Sequence, residues 1–89
     1  MELRRGNITL TRLLLLANAA GPSGISTMEL FRELGTTGYG QTVLRRAERE
    51  GLIERVTGES ERGHFAPIYN TITERGKLLL HRQVIGGGV

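Results

Sequence analysis

Residues 26–56 read STMELFRELGTTGYGQTVLRRAEREGLIERV, and residues 66–80 read APIYNTITERGKLLL. Ser26-Thr27-Met28-Glu29 has the form of a capping box, in which the Ser oxygen takes one orphan helix N–H and a Glu three residues on reaches back. The helix it opens runs to Leu34, with Met28, Phe31 and Leu34 expected on the inner face and Arg32 and Glu33 outside. Gly35-Thr36-Thr37-Gly38 makes a turn: Gly35 supplies the left-handed residue that ends one helix, and Thr36 or Thr37 is placed to cap the next. The spacing predicts a third helix over 39–50, stopped by Gly51, and a strand over 52–56. Residues 57–65 are polar and contain Gly, which suits a hairpin tip. A return strand is expected over 66–72, with Ile68 and Asn70 on one side and Tyr69 and Thr71 on the other. Thr73 then caps a last helix, whose first turn holds Glu74 where the helix dipole favours an acid.

Upstream, Thr9 is placed to cap a first helix that runs to about Ala20, where Gly21-Pro22-Ser23-Gly24 stops it. Gly24-Ile25-Ser26 can lay down a short strand. The whole order describes one α+β domain over 1–89, with 1–8 and 86–89 as flexible ends. It is the layout of a winged helix-turn-helix: a three-helix core, a two- to three-stranded wing hairpin and a C-terminal helix.

Composition narrows the function. Eighty-nine residues leave no room for a second core. The chain has no cysteine, which excludes disulfides, thiolate metal sites and Cys nucleophiles, and fits a reducing cytoplasmic setting. The net charge is +3, eleven of the twelve cations are Arg, and all nine acids are Glu. Arg presents a planar fork that suits phosphate and guanine edges. Coding bias, or a thermophile's Arg/Glu surface pairing, explains the same habit more simply. The run Leu13-Leu14-Leu15-Leu16-Ala17 is far shorter than the roughly 20 residues a bilayer needs, so no membrane span is expected. It could pass for a signal-peptide core, but cleavage after Ala17-Asn18-Ala19 would delete a helix that the domain needs. Four leucines in a row better suit a helix buried on most sides or shared with a second subunit.

The third helix carries the candidate site. Gly40, Val43, Leu44 and Ala47 fall on one side and must pack inward. The opposite side holds Thr42, Arg45 and Arg49, flanked by Gln41 and Arg46, with no acid before Glu48. Near the helix start, Gln41, Thr42 and Arg45 suit base edges: Gln pairs with adenine, Arg with guanine, and Thr meets a thymine methyl. Arg46 and Arg49 suit phosphate. Gly38 and Gly40 would let the helix start approach a nucleic-acid backbone, and Tyr39 could stack there or bond a phosphate. Solvation of a surface helix accounts for any one of these Arg residues about as well.

Catalysis finds no support. There is no Asp or Cys, His64 and His81 have no plausible partner set, and Ser23, Ser26 and Ser60 lie in turns or a cap. Residues 35–40 are Gly-rich but lack the Lys and spacing of a phosphate loop. Neither a cofactor nor a metal is expected.

Residues 44–55, LRRAEREGLIER, are similar to the end of the recognition helix entering the first wing strand in winged-helix transcriptional regulators of the PadR and MarR kind, and in related small archaeal winged-helix proteins. Residues 67–77, PIYNTITERGK, resemble their second wing strand leading into the final helix. The likeness spans 24–80. It implies that the third helix enters a major groove, while the wing, residues 56–67 with Arg62 and His64 near its tip, lies along the minor groove or backbone. The implied DNA-binding set is Thr36, Thr37, Tyr39, Gln41, Thr42, Arg45, Arg46, Arg49, Arg62 and His64. Two features depart from the family pattern: Glu59 and Glu61 in the wing repel phosphate, and Ala47 stands where a larger apolar residue is usual. With no long dimerisation helix, the expected homodimer uses the first and last helices, through leucines among 13–16 and 78–80. The expected function is a sequence-specific double-stranded DNA-binding protein that regulates transcription. The alternative is a winged-helix assembly module binding RNA or a protein partner.

Overall fold

A computed structural model describes residues 5–58 and 67–82, the side chains of 5–7 apart. The elements are α1 (Arg5–Ala20), a 3₁₀ turn (Gly21–Ser23), β1 (Ile25–Ser26), α2 (Thr27–Leu34), α3 (Gly38–Arg49), β2 (Ile53–Thr57), β3 (Ile68–Ile72) and α4 (Glu74–His81). This is the expected order: α1 ends at Ala20, α2 at Leu34 and β3 at Ile72 as expected, the bounds of α3 and β2 each shift by one residue, and α1 and β3 differ at their starts. The strands form one antiparallel sheet in the order β1-β3-β2, with Ile25 opposite Asn70 and Ile53 opposite Ile72.

The first helix starts earlier than Thr9, which lies inside α1 and does not cap it. Leu10, Leu13, Leu14 and Ala17 recur at helical spacing and are buried. The four-leucine run is therefore divided: Leu13 and Leu14 enter the core, Leu16 is half-buried and Leu15 faces solvent. Arg12 Nη2 donates to the Glu33 carbonyl at 3.2 Å, placing a cation at the carbonyl end of α2, where the helix dipole favours it.

In α2, Ser26 Oγ accepts from Glu29 N at 3.2 Å, as the capping pattern predicts, and the Glu29 carboxylate lies 3.3 Å from Arg32 Nη1. The inner face differs from expectation. Leu30 and Leu34 are buried and Phe31 is half-buried, but Met28 is 75% exposed. At ~100° per residue Met28 stands roughly 160° around the helix from Leu30, so a face centred on Leu30 and Leu34 excludes it.

Gly35 ends α2 in the left-handed region, φ 73°, its N–H donating to the Phe31 and Arg32 carbonyls. Thr37 occupies the capping position of α3, but its backbone is helical and its side chain makes no capping bond. Neither threonine therefore caps α3 as expected. The end of α3 is tightly closed: Leu52 N donates to the Ala47 carbonyl at 2.8 Å and Gly51 N to the Glu48 carbonyl at 3.0 Å, with Gly51 at φ 74°. That is a Schellman motif, and Leu52 and Ala47 bury the apolar contact that accompanies it.

Two polar residues lock the parts together. Thr73 Oγ1 accepts from Gly76 N at 3.0 Å, capping α4, and donates to the Gly51 carbonyl at 2.6 Å, just past α3. Asn70, at the centre of β3, is wholly buried; its Nδ2 donates to the Ile25 carbonyl at 2.9 Å and to Thr27 Oγ1 at 3.1 Å. The central strand thus holds the entry to α2, and through it the orientation of the helix-turn-helix. The core joins leucines of α1 and α2 to Val43, Leu44, Ala47, Leu52, Ile53 and Leu80.

Candidate nucleic-acid interface

Gly40, Val43, Leu44 and Ala47 are the buried residues of α3, as their spacing predicts. Ala47 is completely buried, and Gly40 sits against Phe31, where an added Cβ would lie 3.0 Å from Cδ1 of the ring. Gly40 therefore serves helix–helix packing rather than close approach to a nucleic acid. Gly38 has open space in the Cβ direction.

The opposite face is exposed and carries Thr42, Arg45 and Arg49, with Gln41 on the flank nearer the sheet. Thr42 Oγ1 lies 3.4 Å from the Gly38 carbonyl, so its hydroxyl is turned back along the helix. Arg45 and Arg49 form no ion pair among the described residues. Arg46 differs: its Nε lies 3.0 Å from Glu50 Oε2, one turn on. Both partners are nearly half-exposed, and a surface pair of this kind contributes only about 0.3–0.5 kcal/mol, so a phosphate can displace it. Tyr39, partly exposed, lies on the same flank as Arg46.

Thr36 and Thr37 stand apart from the α3 face. With Met28, Phe31, Arg32 and Gly35 they line an open groove of about 500 Å³ at the α2–α3 turn. A smaller cleft of about 110 Å³ lies behind the sheet-side flank of α3, lined by Thr27, Phe31, Gln41, Leu44, Arg45 and Arg55. Arg55 was absent from the expected site. Its signal is the period of the strand: β2 places Arg55 on the same side as buried Ile53. The expected wing contacts Arg62 and His64, with Glu59 and Glu61, lie outside the described residues.

The arrangement is a helix with one exposed face, carrying two guanidiniums unpaired among the described residues and two polar side chains, with a wing strand beside it. Among the described residues no group of three or more His, Cys, Asp or Glu could hold a metal, and no helix is long and apolar enough to cross a membrane.

This architecture is that of a winged helix-turn-helix. Solved structures share it. A PadR-like transcription factor from Bacteroides fragilis matches with a TM-score of 0.77 and 17% identity, over 94% of this chain and 84% of that one. A mutant MepR from a multidrug-resistant S. aureus clinical isolate matches with a TM-score of 0.69 and 20% identity, over 91% of this chain and 63% of that one. Streptococcus pneumoniae FabT, in complex with DNA, matches with a TM-score of 0.64 and 25% identity, over 91% of this chain and 55% of that one. The chain thus spans less than two-thirds of the last two proteins. No protein-family model and no curated protein matches the sequence significantly. The resemblance to PadR and MarR regulators read from residues 44–55 and 67–77 holds at the level of the fold.

Proposed function

We propose that this protein binds double-stranded DNA sequence-specifically and regulates transcription, with α3 in the major groove and the wing on the backbone or minor groove. The observation that carries this reading is the outward face of α3, where Arg45 and Arg49 project without an acidic partner among the described residues. Gln41, Thr42 and Arg45 read base edges; Arg49, and Arg46 on release from Glu50, meet phosphate; Thr36, Thr37 and Tyr39 support the approach of the helix start. Arg62 and His64 contribute from the wing. A structural likeness to FabT, which was solved with DNA, supports the same partner.

The protein acts as a homodimer joined through α1 and α4. Leu15 of α1 and Leu78 of α4 support this, because both are large apolar side chains left exposed, Leu78 by 66%. A two-fold protein matches a two-fold operator.

The test is a gel-shift series with a duplex selected from a random pool and a scrambled control. A specific shift that weakens at least about tenfold between roughly 50 and 200 mM salt is expected. A stoichiometric protein or RNA partner, with no duplex shift at low salt, would instead favour an assembly module.

A further inference from the structure

Glu48 is the first acid along α3, and it sits on the flank of the proposed DNA face, one turn beyond Arg45. An unneutralised carboxylate there would repel phosphate. The wing strand supplies an opposing charge: Arg55 Nη1 lies 3.4 Å from Glu48 Oε2. Among the described residues, Arg32–Glu29 and Lys77–Glu74 each lie within a single helix, and Arg46–Glu50 joins α3 to its own C-terminal cap. Of these four pairs among the described residues, Arg55–Glu48 is the one that joins two elements, α3 and β2.

Arg55 is also the more enclosed partner. Its side chain is 28% exposed against 48% for Glu48, and its Nε is buried with no acceptor among the described residues. Arg55 lines the small cleft behind α3 together with Gln41 and Arg45. Two cations sharing one cleft repel each other, which favours an outward Arg45.

We propose that Arg55 is a positioning residue for DNA binding that acts through Glu48: it neutralises that carboxylate beside the reading helix without itself touching the duplex. This rests on the DNA-binding reading above.

A charge cycle separates the possibilities. Fluorescence anisotropy on one selected duplex would compare the unaltered protein, Arg55→Met, Glu48→Gln and the double variant, at two salt concentrations, with the folded fraction set by circular dichroism. Arg55→Met is expected to weaken binding about five- to tenfold, because Glu48 is then exposed to phosphate. Adding Glu48→Gln should restore affinity to within about twofold, while Glu48→Gln alone changes it by less than about twofold. A double variant as weak as Arg55→Met would show that Arg55 contacts DNA directly, and an Arg55→Met variant that binds normally would show the pair to be inert; either result overturns the proposal. If Arg55→Met fails to fold, Arg55→Lys carries the test. It keeps the charge, so affinity within about twofold supports the proposal and a tenfold fall overturns it. Failure of the unaltered protein to bind any duplex would strike the DNA reading itself and take this inference with it.

Discussion

At the residue scale, Gly76 shows how one position can be decided by a neighbour that local pattern does not name. Alanine in a helix interior normally gains up to about 1 kcal/mol over glycine. In α4, however, an added Cβ at Gly76 would run into the Leu52 carbonyl oxygen and lie 2.8 Å from Ile72 Cγ1. Gly76→Ala is therefore expected to destabilise the protein by about 1–3 kcal/mol in urea unfolding, and a stabilised variant would contradict this packing. Asn70 teaches the same lesson. The alternation of β3 put it on one face with Ile68, but nothing local announced that this face would bury an amide whose Nδ2 is satisfied by Ile25 and Thr27, more than forty residues away in sequence. Met28 was misplaced because residues three apart on a helix suit an inner face as well as residues four apart do; only the packing of Leu30 and Leu34 selects between them. Arg55 was overlooked because its partner, Glu48, belongs to another element.

At the scale of elements, the signals that proved legible were those carried by chemistry within a few residues. The Ser26 cap, the left-handed Gly35 and Gly51, and the Thr73 cap all act locally, and each has the role its residue type suggests. The start of α1 was not legible, since Thr9 has a capping residue's chemistry but lies inside a helix already formed at Arg5. Thr73 does more than cap. Its hydroxyl serves Gly76 N and the Gly51 carbonyl at once, so it fastens the end of α3 to the start of α4. Thr73→Ala is expected to cost about 1–2 kcal/mol, a normal cap loss, with Thr73→Ser recovering most of it. Chemical denaturation of the two variants checks this; equal losses would mean that the methyl group, not the hydroxyl, matters.

At the scale of the whole molecule, the winged-helix layout was readable because each piece is short and the pieces occur in order. The candidate site was only half readable. The helical spacing of α3 identified its exposed face, but which of its Arg residues would pair with the chain's own acids depends on side-chain geometry: Arg46 reaches Glu50, and Arg45 and Arg49 reach no acid among the described residues. Association is a second whole-molecule property. If α1 and α4 form the homodimer interface, Leu78→Glu, on an exposed position, should convert a dimer to a folded monomer in sedimentation experiments, with the melting behaviour of the isolated fold retained. An unaltered protein that is already monomeric at tens of micromolar, on the order of typical assay concentrations, would remove the dimer from the account.

The role proposed for α3 is that its outward face binds a duplex and reads it. The most direct measurement is the affinity of Arg45→Ala and Arg49→Ala, beside the unaltered protein, for a selected duplex and for single-base variants of it at fixed salt. Arg45→Ala should lose about 1–3 kcal/mol on the selected duplex and flatten the preference at one base pair, while Arg49→Ala should weaken every duplex alike and lower the salt slope by about one. Affinities and preferences left unchanged in both variants would contradict the claim.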